Sequence, residues 1–479
     1  MLSIQRVLFL FSAFLFASLS QAQDQATSPY SYYGLGDDYD KTFTRFRGMA
    51  DTKIALSGPF SLNPANPASY GELFSPVFDV GMFAHTTTTT APGSSQTNSG
   101  GNIQYFSMGF PINEKKNMGM AFGIVPISKV GYAISATATD SIFGDVELRD
   151  EGDGGINQFF LGFGRQFSID TNYTYFDSYT TLKNGAKEPN KSKQIVHRMS
   201  LGANLQYNFG TVDRSNLIIP PLDSGAYASA VYQRTRISAP NFDVGMQYQR
   251  RTIKYDSSTF QAAKIRNLQL GATYQMGLTQ SYEYENLAYT FRGSLSDTIR
   301  IPLREISNGE FTWPQQMRLG VGYQLYNMNS KRYWQLAADV NYITWSEFST
   351  SLQEQNLNDV FQVSVGAEMI PEFYFSYQGT QTNYWRNVRY RMGARYKQDK
   401  LYINGNNVNE FGMTFGLGLP LSKSNSQKQT STVLNMGVEY GERGQNKEGL
   451  IKEQFVRFTV GISLTPSKYD NWFYKRKID

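Results

Sequence analysis

Residues 454 to 464 read QFVRFTVGISL, with Val456, Phe458, Val460, Ile462 and Leu464 alternating with Phe455, Arg457, Thr459, Gly461 and Ser463. A period of two marks a strand whose faces meet different surroundings. MRLGVGYQL repeats it: Met317, Leu319, Val321, Tyr323 and Leu325 face one way, Arg318, Gly320, Gly322 and Gln324 the other. MSLGANLQYNF, FDVGMQY, LQLGATYQMGL, WQLAADVNY and FGMTFGLGL follow the same rule. A soluble sandwich would turn long charged side chains outward and its apolar face into a core. Here the second face is Gly-rich and uncharged over long runs, which suits an enclosed interior.

Segments of this kind number fourteen, near 76–88, 101–111, 118–128, 155–168, 199–209, 241–254, 266–278, 317–327, 333–344, 360–370, 389–397, 410–419, 432–441 and 454–464. A tilted strand crosses a bilayer in about 9 to 11 residues. The expected fold is therefore all-β, a transmembrane antiparallel β-barrel of about 14 strands. Short turns such as PINEKKN and NMNSKR suit the periplasmic side. The stretches 129–154, 210–240, 279–316, 345–359, KQDKLYINGNN and GERGQNKEG read as outside loops, and HTTTTTAPGSSQTNSGG as a loop tip. Two connections, 169–198 and 371–388, are too long for periplasmic turns, which leaves the count open between twelve and sixteen.

Composition adds to this picture. The 479 residues include 32 Tyr, 33 Phe and 42 Gly, a content suited to strands that show rings to lipid and small residues to a lumen. A net charge of +5, with its basic residues scattered, points to no nucleic acid or other polyanion. Cysteine is absent, so burial or a membrane must supply the stability that disulfides give many exported proteins. MLSIQR followed by VLFLFSAFLFASL and SQA reads as a signal peptide over 1–22, its apolar run short of the roughly 20 residues of a membrane helix.

Residues 23–73 precede the first strand and read as non-barrel chain, with 74–479 as barrel and short C-terminal tail. Within it, SLNPANPASY carries two Asn-Pro-Ala triplets. Proline fixes φ and removes a backbone donor, so this stretch makes a stiff turn rather than a ladder. In the tail, Trp472, Phe473 and Tyr474 beside Lys475, Arg476 and Lys477 read either as an interfacial anchor or as a solvated end.

The series SPYSYYGLGD, RGMADTKIALSG and SLNPANPASY, with YRMGARY, NEFGMTFGLGLPL, LNMGVEYGERG and IKEQFVRFTVGISL, resembles the FadL-type outer-membrane barrels (the OMPP1/FadL/TodX type) in their divergent Bacteroidetes-type form. Asn63, Pro64 and Ala65 match that family's element at the passage from hatch to first strand, and Asn66, Pro67 and Ala68 form a second copy. The resemblance implies a plugged fourteen-stranded barrel, integral to the outer membrane of a Gram-negative bacterium. It also implies that residues 23–73 form the plug or hatch, and passive uptake of hydrophobic small molecules such as long-chain fatty acids, with Asn63 to Ala68 controlling the path. The alternative is a barrel that transports nothing and serves as an interaction subunit of an outer-membrane secretion or assembly machine, its partners being membrane lipid and another outer-membrane protein.

Candidate chemistry is sparse. His85 and His197 are the two histidines, and neither a Walker, an HExxH nor a GxSxG pattern occurs, so no enzyme, cofactor or metal centre is expected. Ser200 lies close to His197 in sequence but on the opposite strand face. Asp150, Glu151 and Asp153 form an acidic stretch without EF-hand spacing, read as a solvated loop before a calcium site. Arg318 and Arg457 fall on inner faces, because an Arg at mid-bilayer on the lipid face would cost about 2 to 4 kcal/mol. There they can pair with Asp243, Asp339, Glu368 or Glu439, either stiffening the lumen or binding a carboxylate in transit.

Overall fold

The computed structural model describes residues 28–142, 144–181, 187–221, 224–291, 303–349, 357–373, 383–421, 432–447 and 450–466. The signal peptide and the aromatic-basic tail expected from the sequence lie outside them.

Among the described residues, fourteen strands close the wall, all antiparallel. They are β2 (Val77–Ala91), β3 (Ser94–Asn113), β4 (Met118–Asp140), β5 (Gly144–Thr181), β6 (Lys187–Ile219), β7 (Ala228–Tyr255) and β8 (Ala262–Gln275). The ring continues with β11 (Gln316–Asn327), β12 (Arg332–Ile343), β13 (Val360–Ile370), β14 (Arg389–Ile403), β15 (Asn406–Pro420), β16 (Val433–Arg443) and β17 (Lys452–Leu464). Pairing of β17 with β2, from Lys452↔Thr90 to Leu464↔Phe78, closes it. All fourteen alternating segments are wall strands. Their apolar rows face outward, with Leu205, Phe415, Met392, Leu336 and Leu319 each more than half exposed around the circumference. Hydrocarbon is the solvent that stabilises such a surface.

Three expected outside loops are instead strand. Residues 129–140 and 144–154 prolong β4 and β5, 210–219 and 228–240 prolong β6 and β7, and 279–312 holds a hairpin of β9 (Thr279–Phe291) and β10 (Leu303–Thr312). One face of these extensions is partly buried, through Val130, Tyr132, Val212, Ile237, Tyr282 and Phe311, but polar residues interrupt both faces, so the regular apolar alternation that flags a strand is lacking. β9 pairs with β7 over residues 228–237, while β8 pairs directly with β11, so the hairpin stands on the wall without adding to the ring. The 169–198 segment is likewise no turn and no extra wall pair: it prolongs β5 and β6 on the side of the short connections, the periplasmic side.

The Thr-rich stretch expected as a loop tip is the β2–β3 hairpin, closed at Gly93 with φ 83°. KQDKLYINGNN likewise closes tightly: Asn404 and Gly405 at φ 49° and 79° occupy the left-handed positions of a primed two-residue turn. Asp150, Glu151 and Asp153 lie on β5, not in a loop, and Arg149 pairs with Glu151 at 3.9 Å. In the β7–β8 connection Asp256 accepts the Ser258 hydroxyl and the Thr259 and Ser258 amides, which hold its carboxyl down to about 2.

The segment before β2 contains a 3-10 turn at Pro29–Tyr32, a two-residue strand β1 (Asp37–Asp38), a single helical turn α1 (Thr44–Arg47) and a 3-10 turn at Pro67–Glu72. Its apolar residues Phe43, Phe46, Met49, Leu56, Leu62 and Tyr70 are buried against the inner wall.

Candidate functional site: the filled lumen

Inward-facing glycines form a groove. Gly119, Gly164, Gly202 and Gly245 are cross-strand partners on β4, β5, β6 and β7. A Cβ at Gly119 would strike the Tyr70 carbonyl, one at Gly164 or Gly202 the Pro67 carbonyl, and one at Gly245 the Asn66 side chain. Two further pairs, Gly271–Gly320 and Gly366–Gly393, admit Ile54–Ala55 and Met49–Ala50 in the same way. The small face of the strands is thus cut to the backbone of residues 48–70, whose shape would not fit against any side chain.

The repeated triplets have a repeated structure. Asn63 Nδ2 donates to the carbonyls of Lys53 (2.7 Å) and Leu56 (2.9 Å), and its Oδ1 accepts the Ala65 amide at 3.2 Å. Asn66 Nδ2 donates to the Ile54 carbonyl (2.8 Å) and the Met246 carbonyl (3.2 Å), and its Oδ1 accepts the Ala68 amide at 3.1 Å. Each Asn closes its own turn and ties it to the preceding strand of chain, and the prolines remove donors that would otherwise be unsatisfied. Pro64 is held through its carbonyl, which accepts from Asn204 Nδ2 at 3.1 Å. Pro67, Ala65 and Ala68 are fully enclosed.

From Asn204 a polar network crosses the lumen. Its Oδ1 accepts from Tyr70 Oη at 3.0 Å, and its Nδ2 donates to Asp243 at 2.8 Å. Asp243 pairs with Lys41 at 3.3 Å. Asp339 accepts the backbone amides of Lys53 and Ile54 at 2.6 and 2.9 Å. Glu368, wholly buried, meets Arg391 at 2.6 Å, Arg389 at 3.7 Å and Arg45 at 3.9 Å. Arg457 lies 3.6 Å from Glu439 and 3.8 Å from Glu410, while Arg395 bridges the same two carboxylates at 2.6 and 2.5 Å. Arg318 finds Asp40 at 3.5 Å.

All six wall charges singled out from the sequence therefore point inward, and Arg457 pairs with Glu439 as the faces allow. The other partners differ: Lys41, Asp40 and the 53–54 backbone, all from the N-terminal segment, take the places expected of wall groups. Sequence reading missed these because residues 28–57 carry no periodicity that assigns a face. It also missed Arg391, Arg395 and Glu410, although YRMGARY places both arginines on the face of Gly393.

Among the described residues a cavity of about 170 Å³ is lined by charged groups, including Asp40, Lys41, Arg395 and Glu439, and by Phe83, Trp313 and Trp345 among others. In the wall, the β3–β4 ladder ends at Phe106↔Ile124. Beyond it the free edge of β4 is taken by the N-terminal segment, through Asp38↔Ser128, Asp37↔Lys129 and the Ser28 amide to the Gly131 carbonyl at 3.0 Å. His85 stacks on Phe83, whereas His197 Nδ1 lies 2.7 Å from Tyr248 Oη. Ser200 is buried on the other face of β6. Among the described residues no group of three or more His, Cys, Asp or Glu is arranged to hold a metal.

Comparison with known proteins agrees with this architecture. A Pseudomonas aeruginosa FadL homologue shares 11% identity at a TM-score of 0.50, over 89% of this chain and 99% of that one. The Ralstonia pickettii toluene transporter TbuX shares 12% identity at a TM-score of 0.50, over 89% and 98%. At such identity the likeness is one of fold: a FadL-like outer-membrane β-barrel. No curated protein matches the chain. The family model described as BamG matches residues 3–176 and 190–479, and the chain belongs to the BamG family.

Proposed function

We propose that this barrel transports nothing and serves as an interaction subunit of an outer-membrane assembly or secretion machine, with residues 28–73 as a permanent plug. The observation that carries the reading is the lumen. Its glycine groove fits the plug backbone, plug groups meet Asp243, Asp339, Arg318 and, beside wall arginines, Glu368, and the cavity of about 170 Å³ is small and carries many charged side chains. A hydrophobic molecule gains nothing by leaving lipid for such a space. The match to the BamG family model supports the same reading. The extensions of β4 to β7 and the β9–β10 hairpin, with YEYENLAYTF, offer partner surface outside the membrane. Affinity isolation from mild detergent tests this: a stoichiometric outer-membrane protein partner is expected. A lone barrel carrying lipid, together with reduced uptake of labelled fatty acids on deletion of the chain, would overturn it.

A second reading, uptake of hydrophobic small molecules including long-chain fatty acids, is favoured by one feature. The β3–β4 ladder stops part-way up the wall, and beyond it the β4 edge is held by short N-terminal pieces, β1 with the Ser28 and Tyr39 amides on either side. Withdrawal of β1 would open a side passage from lumen to bilayer. A disulfide engineered between Asp38→Cys and Ser128→Cys distinguishes the two: it abolishes uptake if the passage operates and leaves partner isolation unchanged if it does not.

A further inference from the structure

The hairpin that β5 and β6 form beyond the periplasmic rim belongs neither to the wall nor to the lumen. β4 covers the outer edge of β5 as far as Arg165, and the Gln166 amide donates to the Asn117 carbonyl. From 167 to 181, no described strand takes that edge. The opposite edge differs. β7 protects β6 down to Lys193, and the rest of β6 carries Lys187, Pro189 and Lys191, residue types that block strand addition. β5 between 167 and 181 has no Lys, Arg or Pro and carries Asp170 and Asp177.

Register shifts at Ser168/Asp170 and Thr174/Tyr175 bracket a regular run from Asp170 to Thr174. Such a run accepts a short strand, and the flanking bulges stop two copies of this chain from zipping along a longer front. The Phe176 ring of the hairpin lies 6.2 Å from Phe260 of the β7–β8 connection. The hairpin exposes Ile169, Tyr173, Tyr175 and Tyr179, the last 65% exposed, with the rings of Tyr173 and Tyr175 stacked at 6.3 Å. Isolated edges of this kind invite pairing, and the asymmetry between the two edges selects one of them.

We propose that residues 170–174 of β5 receive an added β-strand from another protein of the same outer-membrane machine, an extended periplasmic segment bearing basic and apolar residues. Its backbone completes the β5 ladder, its basic groups meet Asp170 and Asp177, and its apolar groups lie on the tyrosine stripe. This deepens the interaction reading above and can fail independently of it.

The test uses the full chain in its native membrane, with a photo-crosslinking amino acid in place of Asn172 on β5 or of Lys191 on β6. The expected product joins position 172 to one extended segment of the co-isolated partner, mapped by mass spectrometry, with none from position 191. T174P, or the milder T174K, lowers the yield by about tenfold, equivalent to about 1.4 kcal/mol. The heat-modified migration of the folded barrel stays unchanged. Equal yields from both edges, or a product with this chain's own residues 467–479, would overturn the proposal. Partner isolation that persists without a product at 172 would overturn it while sparing the interaction reading. Failure to isolate any partner removes both.

Discussion

Asn63 and Asn66 make the same set of bonds from successive turns, and this equivalence is measurable. Asn66→Ala removes two donations to carbonyls and the acceptor for the Ala68 amide, in a fully buried site. Each unsatisfied buried group costs about 1 to 3 kcal/mol. The temperature at which the folded band is lost on unboiled gels should fall, and an unchanged temperature would mean that the plug contributes nothing to barrel stability. Glu368→Gln should be at least as damaging, because it leaves Arg391 and Arg45 without their carboxylate; breaking a buried pair costs about 3 to 5 kcal/mol. Gly202→Val places a branched side chain where the Pro67 backbone lies. Displaced plugs should give planar-bilayer currents in the variant and silence in the parent. At this scale the sequence was legible on one side only. Arg457 and Glu439 share a face by parity on strands that any reader can count. Lys41 and Lys53 sit in irregular chain, where no period assigns direction.

Strand elements were legible wherever an apolar row met lipid, and illegible beyond the membrane, where polar residues interrupt both faces. Thus Leu319, Val321 and Tyr323 mark β11, whereas β9 (TQSYEYENLAYTF) carries polar and aromatic residues on both faces and read as loop. The missed Asn404–Gly405 turn is a different failure, since the dipeptide is a strong hairpin signal that went unused. Because β8 pairs with β11 through Gln275↔Gln316 and beyond, the β9–β10 hairpin is an accessory. Replacing residues 277–314 with a short glycine-containing turn should leave a folded barrel with normal heat-modified migration. Loss of that migration would show that the hairpin is needed to close the wall. Gly405→Ala, at φ 79°, should cost roughly 1 to 2 kcal/mol by forcing a side chain into the left-handed region.

For the whole molecule, the outward apolar belt demands an amphiphile. The chain should precipitate or aggregate when detergent is removed, and a monodisperse folded state in plain buffer, by light scattering, would contradict the barrel's placement in a bilayer. The path of the N-terminal segment has a separate consequence. Ser28 sits beside Gly131 and donates to Glu453 at 2.5 Å, near the outer ends of β4 and β17, whereas Pro67–Glu72 lies at the other end of the bore, beside Gly119 and Gly164. The chain therefore runs the length of the cylinder before β2 begins. A finished ring has no room for about forty residues to be pushed through from below. Folding order is thereby constrained: strands must gather around the N-terminal segment as around a mandrel, and the β17–β2 junction seals only after that segment is seated.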